Sequence, residues 1–176
     1  MHVKAKQIAF AGLLAAFSAV LMFLSTAIES SSLFFIAAAS FCVGIVIREM
    51  GVVFGASFWL ASTLVNFMVA PNKFYCITFA AMGLYLVLSE TVWEKIAQSE
   101  SMNHRAMKFW IGKIVIFNVM YLPVLFAFPE LIFAKKVTGG WLVLGWIAGQ
   151  AVLFVYDYAY RYFQGRLWGR IRNRFL

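Results

Sequence analysis

The sequence predicts an all-α integral membrane protein, a bundle of six transmembrane helices with both termini in the cytoplasm. Of its 176 residues, 64% are hydrophobic and only 12% are charged, and so few polar groups could not cover a globular surface. The apolar residues fall into six segments, and the basic residues concentrate in every second connection. Six spans with short loops use nearly the whole chain, so we expect a single transmembrane domain over 1–176.

Helix-breaking residues bound the apolar segments. Pro71 and Asn72 separate the third from the fourth, Pro129 closes the fifth, and Gly139 and Gly140 precede the sixth. No internal repeat is present. The predicted spans cover 7–28, 33–47, 51–69, 74–93, 108–128 and 141–163.

Two spans have unusual features. The second, 33–47, is short for a hydrocarbon core of about 30 Å. Either its neighbours shield it or Ser31, Ser32 and Arg48 extend it. Pro123 lies inside the fifth span and should kink it, because proline removes a backbone hydrogen bond.

The basic residues predict the orientation. With six spans, one side of the membrane holds only Lys73, Lys135 and Lys136, and the positive-inside rule places that side outside. Losing any one span would move the C-terminal arginines outward, so the pattern favours an even number. The cytoplasmic side would hold Lys4, Lys6, Arg48, Lys95, Arg105, Lys108, Arg161, Arg166, Arg170, Arg172 and Arg174.

The C-terminal stretch from Tyr156 to Leu176 is both aromatic and basic. Such a composition is typical of an interfacial anchor on an anionic leaflet, so membrane lipids are expected partners. Nothing in it forms a nucleic-acid-reading module, and we expect no nucleic-acid partner. Residues 164–176 are predicted to be a cytoplasmic tail.

The first span carries a stripe of small side chains. Residues at intervals of four and three lie on one helix face, and here that face holds Ala5, Ala9, Gly12, Ala16 and Ala19. In lipid such a stripe permits close approach of another helix. That helix could belong to this chain or to another protein.

Catalytic motifs are absent from the sequence. His2 and His104 lie far apart on the predicted cytoplasmic side, and Cys42 and Cys76 belong to no metal-binding pattern. We therefore expect no catalytic residue, no metal and no cofactor. An enzyme acting on lipid is the weakest alternative, because no nucleophile and base are paired.

Polar residues in the outer halves of several spans, together with Asn118 and Gln150 near mid-depth and others in the adjoining outer loops, could form a pocket for a small ligand. Aromatic walls with a few hydrogen-bonding groups suit such a pocket. The competing interpretation is that the amides are interhelical hydrogen bonds, worth about 0.6 kcal/mol each. The candidate ligand-binding residues are Asn66, Asn72, Lys73, Tyr75, Asn118, Tyr121, Trp141, Trp146 and Gln150.

Four charged residues form a second group in the inner half: Glu90, Lys113, Asp157 and Arg161. Asp157 and Arg161 can pair along one helix face, and Glu90 could reach Lys113 between spans four and five. Structural ion pairing is favoured over a proton relay.

With these features in hand, the chain resembles the substrate-binding S components of energy-coupling factor transporters. The resemblance covers the whole chain in size, topology and inward termini, and its most specific part is the start, where Lys4 and Lys6 precede alanines spaced four apart. In that family an AxxxA pair in the first helix docks a membrane-embedded coupling protein. Pairs Ala5/Ala9, Ala11/Ala15 and Ala15/Ala19 all fit that spacing, so the register stays open. Taken with the small-residue stripe, the candidate docking residues are Ala5, Ala9, Gly12, Ala15, Ala16 and Ala19.

The resemblance implies a function as well as a docking face. The chain would capture a vitamin-like molecule outside a bacterial cytoplasmic membrane, join the coupling protein and two cytosolic ATPases, and topple to present its ligand inward. Catalysis by this chain itself would be absent. The alternative from another class is a non-transporting scaffold in cell-envelope or spore assembly, in which the small-residue faces and the arginine tail recruit partners.

Overall fold

The computed structural model of the chain describes residues 5–99, 105–127 and 139–168, which are almost entirely helical. Six helices are long and apolar enough to span a membrane, as predicted. They form two compact units, 1–99 and 100–176. The helices are α1 Ala5–Ala27, α2 Ser32–Met50, α3 Val52–Val69, α4 Lys73–Ser99, α5 Arg105–Ala127 and α6 Gly139–Tyr162.

The surface of these helices is apolar. Side chains such as Leu13, Val53, Met68 and Val155 are between 65% and 85% exposed. Exposing so many large hydrophobic side chains to water would be unfavourable, whereas lipid solvates them. The helices therefore have the exterior of a multi-pass membrane protein.

The centre of the first unit is α2, which packs against α1, α3 and α4. Every residue from Ala39 to Ile47 is buried, because a helix that is apolar on all sides is most stable when surrounded. A single 3₁₀ turn, Glu29–Ser31, precedes it. Both predicted remedies for its shortness are present: its neighbours shield it, and it extends from Ser32 to Met50.

A single residue, Gly51, connects α2 to α3. Its φ of 89° lies in the region that favours glycine, and its N–H donates to Ile47 O at 2.7 Å. One turn later the helices almost touch, since a Cβ on Gly55 would lie 2.2 Å from Cγ1 of Ile47. The two glycines together permit this tight reversal.

The helices α3 and α4 also approach closely. A Cβ on Gly83 would lie 2.5 Å from Cδ1 of Trp59, and Trp59 Nε1 donates to Ala80 O at 3.0 Å. The indole thus gains a partner for its N–H while its ring fills the space above the glycine.

The second unit pairs α5 with α6. Tyr121 of α5 packs on Gly149 of α6, where a Cβ would lie 2.5 Å from the tyrosine ring. Trp110 stacks on Phe154 with ring centroids 5.3 Å apart. The helix α5 runs through Pro123 to Ala127.

A π-helical turn, Phe163–Trp168, follows α6 directly. The helix α6 therefore ends at Tyr162, next to the predicted end of the sixth span at 163. The rest of the predicted tail lies outside the described residues, as do Lys4, His2, His104, Pro129, Lys135 and Lys136.

Candidate functional site

The two faces of α1 differ sharply in burial. One face packs into the first unit through Ala11, Leu14, Ser18, Leu21, Met22 and Ser25. On the opposite face Ala5, Ala9, Gly12 and Ala16 are all exposed, and a Cβ on Gly12 would meet nothing within 4 Å. The first unit thus leaves four of the five stripe residues exposed, while Ala19 is half-buried.

The three AxxxA pairs are not equally accessible. Ala5 and Ala9 are both exposed, Ala15 and Ala19 are half-buried, and Ala11 is buried. A partner helix can therefore reach the Ala5/Ala9 pair most directly, and it would reach Ala11 only by displacing the packing of the first unit.

Asn66 lies in the interior of the first unit with no exposed surface. Its Nδ2 donates to Ser18 Oγ on α1 at 3.2 Å, and its backbone carbonyl accepts from Cys76 Sγ on α4 at 3.3 Å. Its Oδ1 and the nearby Thr63 Oγ1 have no hydrogen-bond partner among the described residues. A buried amide with spare capacity is unusual, because leaving it unpaired costs stability.

Asn72 and Lys73 stabilise helix ends. Asn72 Oδ1 accepts from the Phe74 N–H at 3.0 Å at the start of α4, which is an N-cap. Lys73 Nζ donates to the carbonyls of Phe67 and Ala70 at the end of α3, where a cation also complements the helix dipole. Both side chains therefore have structural roles in the turn between α3 and α4.

Asn118 is the centre of a hydrogen-bond network between α5 and α6. Its Oδ1 accepts from Trp146 Nε1 at 2.9 Å and from Gln150 Nε2 at 3.0 Å. Its Nδ2 donates to Ile114 O at 2.8 Å. The structure thus brings together three of the predicted ligand-binding residues, and they satisfy one another.

The remaining predicted aromatic residues differ in their surroundings. Tyr121 donates its hydroxyl hydrogen to Gly145 O at 2.9 Å, which joins it to the same helix pair. Trp141 is 56% exposed near the start of α6, and Tyr75 is half-buried in the first turn of α4. The nine predicted ligand-binding residues are thus divided between the two units, with Asn66, Asn72, Lys73 and Tyr75 in the first and the other five in the second.

The inner charged residues form two sets of ion pairs. Lys113 Nζ contacts Asp157 Oδ1, and Arg161 Nε lies 3.0 Å from Asp157 Oδ2, which confirms the predicted Asp157–Arg161 pair. Glu90 pairs with Arg48 of α2 at 3.4 Å. The sequence suggests Lys113 as a possible partner of Glu90 and gives no sign of the pair with Arg48.

Two residues that contact the predicted polar and charged residues, Ser18 and Trp110, were not predicted from the sequence. Ser18 supports Asn66, and its signal was present, since Ser18 and Ser25 share the buried face of α1 at a spacing of seven. Trp110 lies beneath the Arg161 guanidinium at 5.0 Å. That contact joins two helices, and no local pattern in the sequence predicts it.

The chain matches no known family model, no curated protein and no solved structure. Its own residues supply amides, hydroxyls and indoles that can bind a ligand or one another, and a smooth helix face that can bind a second helix.

Proposed function

We propose that this chain is a subunit of a larger membrane assembly that docks a second membrane protein through the exposed face of α1. The specific assembly we propose is an energy-coupling factor importer, with this chain as the subunit that captures a vitamin-like molecule. The coupling protein and two cytosolic ATPases would be its partners.

The observation that carries this proposal is the exposure of Ala5, Ala9, Gly12 and Ala16. Small residues in a lipid-facing stripe give up the dispersion contacts that larger side chains would make with lipid. They gain close backbone approach when a partner helix lies against them. Packing inside the first unit does not account for the small residues of this stripe, because the opposite face of α1 makes those contacts.

The docking proposal is tested by Ala9→Trp in the tagged full-length protein. We expect the partner proteins to be lost from affinity purification in mild detergent, because the indole prevents close helix approach. Phe17→Trp is the matched control, since Phe17 is 55% exposed on α1 but lies about 120° around the helix from the stripe. Retained partners with Trp at position 9 would contradict docking through this face.

The identity of the partners tests the type of assembly. Mass spectrometry of the purified complex should find two related ATPases and a second polytopic membrane protein. Envelope-assembly proteins without ATPases would reject the importer and support the scaffold.

Ligand capture is tested separately with the purified chain. A panel of water-soluble vitamins is screened by thermal shift, because a ligand that binds the folded state raises Tm. Asn66→Ala tests a binding site in the first unit and Trp146→Ala tests one in the second, and we expect the variant in the unit that holds the site to weaken binding of the vitamin that shifts Tm. Trp93→Ala, at an exposed tryptophan of α4, should leave binding unchanged. An unchanged dissociation constant in both variants would remove these residues from the site.

The non-transporting scaffold is a second candidate, and a specific observation favours it. Asn118, Trp146 and Gln150 use their hydrogen-bonding groups on one another, and Asn72 and Lys73 use theirs on helix ends. Among the buried side-chain atoms of the predicted outer halves in the described part of the chain, Asn66 Oδ1 and Thr63 Oγ1 lack a hydrogen-bond partner. A scaffold requires no ligand and would show no Tm shift with any member of the panel.

A further inference from the structure

The cytoplasmic end predicted for α6 carries a groove within the stretch that the sequence predicts to be an interfacial anchor. It has a volume of about 360 Å³ and is lined by Tyr158, Arg161, Tyr162, Gly165 and Arg166. Two guanidinium groups and two phenols therefore face one concave surface. Guanidinium groups bind phosphate oxygens with paired, charge-assisted hydrogen bonds.

The π-helical turn explains why the two arginines share this groove. Residues five apart on an α-helix point about 140° away from each other. The wider turn at Phe163–Trp168 follows Arg161 and contains Arg166, and i→i+5 hydrogen bonding brings residues five apart toward one face. Such turns are frequent at functional sites.

Each arginine is held by a residue four positions earlier. Arg161 Nε lies 3.0 Å from Asp157 Oδ2, and the Arg166 guanidinium lies 5.4 Å from the centre of the Tyr162 ring. Trp110 supports the Arg161 guanidinium from α5 at 5.0 Å. Both cations are thus partly ordered before any ligand binds, which lowers the entropy lost on binding.

The charges around the groove do not balance. Arg161 shares the Asp157 carboxylate with Lys113. The residues that line the groove include two guanidinium groups and no carboxylate. The shared carboxylate therefore does not offset both arginines, and an anion in the groove is favoured.

An apolar stripe leads directly to the groove along α6. Val155 is 69% exposed, and Tyr158 and Tyr162 follow it at 67% and 48%. The spacing of three and four places these residues on one face, which continues upward through the exposed residues Leu144, Ala148 and Ala151. A molecule with a phosphate in the groove and a hydrocarbon chain along the stripe would match both surfaces.

We infer that this groove binds the phosphate of an anionic phospholipid, with an acyl chain against the α6 stripe. Arg161 and Arg166 hold the phosphate oxygens, and Tyr158 and Tyr162, which also line the groove, supply hydroxyls that can donate to the headgroup. A free phosphate ion would satisfy the arginines but would leave the apolar stripe unused. The inference does not depend on the proposed transport function.

The test is native mass spectrometry of the full-length protein in detergent with added phosphatidylglycerol or phosphatidylcholine of identical acyl chains. We expect preferential retention of phosphatidylglycerol. Arg166→Gln should lower that preference about fivefold, the effect of losing about 1 kcal/mol per basic residue at a lipid surface. Arg161→Gln combined with Arg166→Gln should abolish it.

Two further variants separate a built site from general charge attraction. The double variant Lys6→Gln with Lys95→Gln removes two positive charges, as the double arginine variant does, but at exposed positions of the first unit. It should leave the preference for phosphatidylglycerol intact. Gly165→Trp keeps both arginines but fills the groove, since a Cβ there meets nothing within 4 Å, and should abolish the preference.

Three outcomes would overturn the inference. The first is equal retention of both lipids by the natural protein. The second is an equal loss in the Lys6/Lys95 variant, which would show a diffuse charge effect. The third is displacement by inorganic phosphate at the same concentration as the lipid, which would show an anion site with no contribution from the acyl chain.

Discussion

Lys113 and Asp157 carry opposite charges between α5 and α6, and their side chains are only 5% and 1% exposed. Each charge alone would be very costly at such a position. Phe109 and Trp110 add their ring faces to the Lys113 ammonium at 4.2 and 5.6 Å. The pair therefore joins the two helices, and a substitution of either residue alone would leave the other charge buried without this partner.

We predict a strongly non-additive mutant cycle at this pair. Asp157→Leu leaves Lys113 buried without its carboxylate and should destabilise the fold by about 3–5 kcal/mol. The double variant Lys113→Met with Asp157→Leu should recover most of that loss. Unfolding in mixtures of SDS and mild detergent measures both, and equal stabilities of the single and double variants would contradict a buried charge pair.

At the scale of the helices, glycine marks the places where two elements nearly touch. Gly55 approaches Ile47 across the α2–α3 turn, and Gly83 approaches Trp59 across α3 and α4. Gly12, by contrast, faces open space on α1. Identical substitutions at these glycines should therefore have different consequences.

We predict that Gly55→Leu destabilises the first unit by about 1–3 kcal/mol, because the added atoms overlap Ile47 and its backbone. Gly12→Leu should leave the free energy of unfolding nearly unchanged and should impair only partner docking. Detergent unfolding reports the first effect and affinity purification the second. A stable Gly55→Leu protein would mean that α2 and α3 separate more easily than this geometry implies.

The helices were largely predictable from sequence because hydropathy is a local property. The six segments match helices within a few residues at most ends, although α4 continues to Ser99, beyond the predicted end at 93. That extension is polar and lacks a hydropathy signal. Whether a side chain faces lipid, core or a partner was less predictable, because it depends on how each helix is rotated.

The candidate site illustrates the same limit. Sequence placed Asn118, Trp146 and Gln150 at compatible depths, and the structure brings them within hydrogen-bond distance. The sequence did not reveal that Asn72 and Lys73 form hydrogen bonds at helix ends, or that Arg48 pairs with Glu90. Such contacts are set by turn geometry and by pairing between helices distant in sequence.

At the scale of the whole molecule, the orientation of the six helices is testable by cysteine labelling. The natural cysteines suit this approach, since Cys42 and Cys76 are each only 2% exposed. Ser30, Pro71 and Lys95 are exposed near helix ends and provide sites for single new cysteines.

We predict that a membrane-impermeant maleimide added to intact cells labels Ser30→Cys and Pro71→Cys but not Lys95→Cys. The reason is the asymmetry of basic residues, which places position 95 in the cytoplasm. Labelling of Lys95→Cys only after permeabilisation completes the assignment. The reverse pattern would invert the orientation, and labelling of all three from outside would contradict the predicted sequence of spans.

The single-residue connection at Gly51 also bears on how the chain enters the membrane during synthesis. In the predicted orientation, Gly51 stays inside with Arg48 and Glu49, and the connections of the first unit that pass to the outer side are the short stretches 28–31 and 70–73. Glu29 and Lys73 are the charged residues in those two stretches. Because so little polar chain must be translocated, the first unit suits insertion as paired helices, driven mainly by partitioning of their apolar surfaces into lipid.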